Sequence, residues 1–128
     1  MQEYMAYLED DDDDIFTLKN SFAEITSIPL RIFMDGPSFL THLGASQNDL
    51  PCLTIMDLKL PGLGGIETLE LIRETNQLRQ MKVVIFSTFA SEKHLAAARR
   101  LDSDIVIKPF LYNEWIKAAR KLITYCDK

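Results

Sequence analysis

The chain has 128 residues, 47% of them hydrophobic and 26% charged, and a formal net charge of −5. That length suits a single domain over residues 1–128, one able to bury a core without a disulfide scaffold or a structural metal. The acidic balance argues against a nucleic-acid partner, and no apolar run approaches the ~20 residues that span a bilayer, so neither nucleic acid nor membrane is expected.

Residues 1–8 lack the basic start and long apolar stretch of a signal peptide. Within them Met5-Ala6-Tyr7-Leu8 is the first candidate strand, and the acidic run Glu9 to Asp14 follows it. Asp14 is a good N-cap for a helix in which Ile15, Leu18, Phe22 and Ile25 recur at three- and four-residue spacing. A second strand covers Leu30 to Met34, and a short helix opened by Pro37 covers Ser38 to Leu43. The third strand, Cys52 to Met56, runs straight into Asp57. Ile66, Leu69 and Ile72 mark a helix after Gly64-Gly65, and Lys82 to Ser87 is the fourth strand. Leu95, Ala98 and Leu101 mark a helix capped by Ser91, and Asp104 to Ile107 is the fifth strand. Trp115, Ile116, Ala119, Leu122 and Ile123 form the stripe of a last helix, with Asn113 as its cap.

Two cysteines, Cys52 and Cys126, are too few for a disulfide framework. Cys52 is expected to be reduced and packed as a small hydrophobe, with a single bridge as the less favoured alternative, and the cysteine count mildly favours a cytoplasmic location. His42 and His94 have no second ligand at metal spacing and read as surface or packing residues, and Trp115 reads as core.

Strand and helix alternate five times, and the later strands are nearly continuous apolar runs. That pattern predicts an α/β fold, a parallel sheet with helices on both faces. In such a sheet ligands sit beyond the carboxyl ends of the strands. Glu9 and Asp10, Asp57, Ser87 and Thr88, and Lys108 each follow or close a strand, and so are predicted at one edge. Carboxylate oxygens suit Mg²⁺, which also takes water and phosphate ligands. A hydroxyl and an ammonium can hold phosphoryl oxygens, and a carboxylate can itself be the nucleophile that forms an acyl phosphate. Six acids in a row could instead be only a solvated stretch, but apolar strand and helix patterns flank this run closely. Within it Glu9 and Asp10 are assigned to the metal, Asp11 is the next candidate if the register slips, and Asp13 and Asp14 are placed at the helix N-terminus, where they favour its dipole.

Four motifs occur in order: Leu8-Glu9-Asp10, Ile55-Met56-Asp57-Leu58-Lys59-Leu60-Pro61-Gly62, Phe86-Ser87-Thr88 and Ile107-Lys108-Pro109-Phe110. Together they resemble the receiver domains of two-component signalling, of the chemotaxis-regulator type, over essentially the whole chain. The resemblance implies a (βα)5, flavodoxin-like, doubly wound sheet in the order 2-1-3-4-5. It implies a phosphoacceptor at Asp57, a signalling role and not enzyme turnover, and Mg²⁺ held by Glu9, Asp10, Asp57 and the backbone carbonyl of Lys59. Ser87 would bond a phosphoryl oxygen and draw the following loop inward. Lys108 would bridge the phosphoryl group and a carboxylate, and the Lys108–Pro109 peptide would be cis. The implied partners are a histidine kinase or histidine phosphotransfer protein and an unidentified downstream protein. Family members also dimerise through the face of strand 4, helix 4, strand 5 and helix 5.

The chain departs from the family pattern in places. Glu9 stands where many members have Asp, and Leu101-Asp102 replaces a usual Gly-Ala before the fifth strand. Ile105 stands where a Tyr or Phe ring normally swings inward, and Phe89 is a candidate substitute. Lys59 and Phe89 hold positions that flank the phosphoryl group in the family, where bulk obstructs the attacking water, so a long-lived phosphoryl group is expected. Ile105 keeps a second reading open: an interaction module of the same fold that works without phosphorylation. A small phosphohydrolase is disfavoured, because Leu58-Lys59 supplies no second acid beside Asp57 and 128 residues leave little room for a cap. The chain carries no output domain, so it is expected to work by association or to be part of a longer regulator.

Overall fold

The computed structural model describes residues 3–45 and 49–127. Five short runs form parallel strands, β1 (Met5–Leu8), β2 (Leu30–Phe33), β3 (Leu53–Met56), β4 (Val83–Ser87) and β5 (Asp104–Ile107), in the order β2-β1-β3-β4-β5. Between and after them lie α1 (Asp12–Ala23), α2 (Gly36–Ala45), α3 (Gly65–Glu74), α4 (Glu92–Arg100) and α5 (Trp115–Ile123). The three central strands are buried at every position, as expected where helices cover both faces. β2 and β5 lie at the edges and are partly exposed.

Side chains alternate between two cores with the period of two that a strand imposes. Met5, Tyr7, Ile55 and Phe86 pack against Leu18 and Phe22 of α1 and Trp115, Ala119 and Leu122 of α5. Leu8, Met56, Val83 and Ile85 face the other way, onto Phe39 and Leu43 of α2 and Leu69 and Ile72 of α3. Burying each such side chain contributes roughly 1.5–3 kcal/mol. The strict alternation therefore fixes the register, since a one-residue slip would exchange the two cores.

Three helix starts differ from expectation. The N-cap of α1 is Asp11 and not Asp14: its Oδ1 accepts from the Asp14 backbone N–H at 3.0 Å. Any acid in the run could have capped, and the choice falls where the chain leaves the sheet. Asn113 does not cap α5, because Tyr112–Glu114 first makes a 3₁₀ turn. Ser91 does cap α4, in a capping box that His94 completes by accepting from the Ser91 N–H. His42 bonds the Tyr4 hydroxyl at 3.0 Å, so both histidines serve local structure. α2 is longer than expected, starting at Gly36, with Asp35 Oδ1 accepting from the Ser38 N–H at 2.8 Å.

The turn before β5 puts Asp102 at φ 57°, in the left-handed region. Arg73 compensates: its guanidinium donates to the carbonyls of Leu101 (2.7 Å), Asp102 (3.3 Å), Arg79 (3.0 Å) and Met81 (2.7 Å). The expectation of reduced cysteines is corrected. Cys52 and Cys126 form a disulfide, with Cα atoms 4.9 Å apart across a sequence separation of 74. The fold brings the residue before β3 and the C-terminal 3₁₀ turn together, at the sheet edge opposite the carboxyl ends, a juxtaposition that spacing alone does not reveal.

Candidate functional site

Three of the candidate residues are fixed by a backbone bond that extends the ladder beyond the strand. The Glu9 N–H donates to the Phe33 carbonyl (3.0 Å), the Asp57 N–H to Leu8 (3.2 Å) and the Lys108 N–H to Ser87 (2.8 Å). Side chains are thereby placed by the sheet and not by free loops, which favours precise geometry. Behind Asp57 the chain is crowded. A Cβ on Gly65 would lie 2.3 Å from the Asp57 carbonyl oxygen, so only glycine lets the start of α3 approach the loop after β3.

The Lys108 ammonium gathers the cluster. It lies 2.6 Å from Glu9 Oε1, 2.7 Å from Asp14 Oδ2 and 3.4 Å from Asp57 Oδ2, and its side chain is 3% exposed. Asp57 Oδ1 accepts from the Leu58 N–H at 2.8 Å. Glu9 is fully engaged: Oε1 also accepts from the Tyr7 hydroxyl (3.2 Å) and Oε2 from the Asp11 N–H (3.2 Å).

Burial and contact compete over these charges. Burial pushes the Glu9 carboxyl up; the bond from Lys108 opposes this, and the Asp57 charge adds to the rise. Burial also disfavours the Lys108 ammonium, but bonds to Asp14 and Glu9 and the charges of Glu9 and Asp57 outweigh it, so its pKa is raised and it stays charged. The two partners respond differently because one ammonium faces three carboxylates, whereas Glu9 faces one cation and a like charge. Burial, followed by the Glu9 and Asp14 charges, likewise raises the Tyr7 phenol, which remains a donor.

The sequence-predicted residues divide accordingly. Glu9, Asp57 and Lys108 come together, and Ser87 is buried at the end of the neighbouring strand. Asp10 and Lys59 are exposed, and Asp11 caps α1 instead of facing the cluster. Phe89 is 68% exposed, while Ile105 packs onto the core. The expected cis Lys108–Pro109 peptide is not formed, no cis bond occurring among the described residues. Trans is favoured by about 0.5–1 kcal/mol at X–Pro, and Lys108 already reaches its carboxylates in that isomer. Sequence reasoning missed two members. Tyr7 was legible in principle, since strand alternation puts it on the same face as Glu9. Asp14 was read as a helix cap and dipole partner, yet it also meets Lys108.

The donor set fits a hard divalent cation. With every group ionised, the cluster around Lys108 holds two more negative charges than positive, and all its donors are carboxylate oxygens. Among the described residues no three acidic, His or Cys side chains form a ready metal cage. Mg²⁺ does not require one, as it binds through one or two carboxylates plus water and phosphate.

Residues 7–120 match the response regulator receiver domain. The curated relative "Probable methanogenesis regulatory protein FilR2" of Methanothrix harundinacea (strain 6Ac) is 28% identical over 96 residues, covering 71% of this chain. The aligned part spans 61% of that relative's length. Among solved structures, the phosphorylated cyanobacterial phytochrome response regulator RcpA is similar with a TM-score of 0.88 at 20% identity, covering 100% of this chain and 96% of that one. The Mn²⁺-bound form of response regulator Rcp1 has a TM-score of 0.82 at 21% identity, covering 95% and 92%. At these identities the two structures show a shared fold. Among the described residues no helix is long and apolar enough to cross a membrane.

Proposed function

Because the chain belongs to the response regulator receiver domain family, we propose that it accepts a phosphoryl group on Asp57 from a histidine kinase or histidine phosphotransfer protein. An Asp57 carboxylate oxygen attacks the phosphorus of a phosphohistidine. The P–N bond breaks, the imidazole nitrogen leaves with the electron pair, and an acyl phosphate forms. The observation that carries this reading is the convergence of Glu9, Asp57 and a buried ammonium at the carboxyl edge of the sheet, at 2.6 and 3.4 Å from Lys108 Nζ.

Lys108 bonds the phosphoryl oxygens on the charge it already directs at Asp57, and the Ser87 hydroxyl takes another of those oxygens. Receiver domains typically bind Mg²⁺. Here Glu9, Asp10, Asp57 and the Lys59 carbonyl are the groups that would hold it, and when bound it supplies the positive charge that an incoming phosphoryl group needs in an acidic site. Because Glu9 is tied to Tyr7, Asp11 and Lys108, binding requires it to exchange partners. Output is a changed affinity for a protein. Ile107, Phe110, Leu111 and Tyr112, all more than half exposed at and after β5, support a docking surface on that side.

The test is intact-mass analysis after incubation with acetyl phosphate, with and without Mg²⁺, beside Asp57→Ala. The expected result is a Mg²⁺-dependent gain of one phosphoryl group, lost in the variant. No gain under conditions that label a control receiver would overturn the reading in favour of a phosphorylation-independent interaction module.

A further inference from the structure

The phosphotransfer chemistry leaves one short contact of Lys108 unused. An ammonium has three N–H donors. In this structure two of them make short bonds, to Glu9 at 2.6 Å and Asp14 at 2.7 Å, while the contact with Asp57 is long at 3.4 Å. Asp14 sits in the first turn of α1, where the Asp11 cap holds its backbone N–H at 3.0 Å, so its carboxylate is placed by a helix. Glu9 is the more deeply held of the two short partners: its side chain is 1% exposed and it also accepts from Tyr7 and Asp11. Asp14 is 26% exposed and can return to water at little cost.

We propose that Asp14 is a positioning residue that parks Lys108 away from Asp57 in the unphosphorylated protein, and that phosphorylation requires Lys108 to leave it. The inference rests on the phosphoacceptor reading. Removing the Asp14 carboxylate frees a donor of Lys108 for the phosphoryl oxygens. Asp13 provides the control, because it is exposed on the same helical turn and its loss changes the net charge equally without touching Lys108.

Two measurements test the idea. In the first, made without phosphodonor or metal, urea unfolding follows a double-mutant cycle of Asp14→Asn and Lys108→Met. A coupling of about tenfold in the unfolding constant is expected, and additivity overturns the contact. In the second, phosphorylation by acetyl phosphate at saturating Mg²⁺ is timed by intact mass. Asp14→Asn is expected to react about threefold to tenfold faster than Asp13→Asn, a charge-assisted bond having been removed from the resting state only. Equal rates in the two variants overturn the inference while leaving the phosphoacceptor reading intact. A parent chain that takes no phosphoryl group overturns that reading, and the inference falls with it. If Lys108→Met does not fold, the rate comparison decides alone.

Discussion

Tyr125 donates its hydroxyl to Asp104, tying the C-terminal turn to β5. Burial, then that bond and the Asp104 charge, push its pKa up to about 12 from an ordinary 10.0. The folded protein therefore holds this proton more tightly than the unfolded chain does. The contribution is complete below the unfolded value and is lost as pH rises from there through the folded one. Urea melts of the parent and Tyr125→Phe are expected to differ by a constant amount up to about pH 10 and to converge as pH approaches 12. A difference that stays constant across that window would show the bond to be unimportant. At this scale Asp57 and Lys108 were legible because each directly follows an apolar run. The acidic run was harder: six consecutive carboxylates carry no phase, so nothing distinguished Asp11 as the cap or Asp14 as the Lys108 partner.

At the scale of elements, the turn between α4 and β5 depends on a residue far from it in sequence. A non-glycine residue in the left-handed region costs about 1–2 kcal/mol, and Asp102 adopts it while Arg73 binds two carbonyls of the turn, those of Leu101 and Asp102, and two of the segment before β4, those of Arg79 and Met81. Arg73→Ala is expected to lower the stability measured in urea by about 2–4 kcal/mol, because the part-buried carbonyls of Leu101 and Met81 lose a charged donor. Arg73→Lys should recover little, since one ammonium cannot reproduce the planar fork. A loss below about 0.5 kcal/mol, the range of ordinary surface changes, would refute the latch. The strands were legible to within one residue at each end, because β-branched and apolar runs mark burial directly. Helix ends were less so: Ser91 was legible as the cap of α4, but the 3₁₀ turn that replaces an Asn113 cap depends on how the chain leaves β5.

At the scale of the whole molecule, the sheet has two chemically different edges, charged at the carboxyl ends and bridged by Cys52–Cys126 at the other. Strand alternation announced the first, and the order of the sheet came with the family resemblance. The bridge spans a separation of 74, beyond the reach of any local pattern. Non-reducing mass spectrometry is expected to find the purified chain lighter by two hydrogen atoms, and reduction to lower its stability by about 2–4 kcal/mol. An unchanged mass would show two thiols.

Oxidised, the chain is a lariat. Residues 52–126 close a ring that contains Asp57, Ser87 and Lys108, while Glu9, Asp10 and Asp14 lie on the free tail. A single cut inside the ring therefore releases no fragment, and the three residues it contains stay on one covalent piece until a reductant opens the loop. A cut between Asp14 and Cys52 has the opposite effect: it severs the acidic tail from the ring, leaving the two halves of the site joined only by packing and strand pairing.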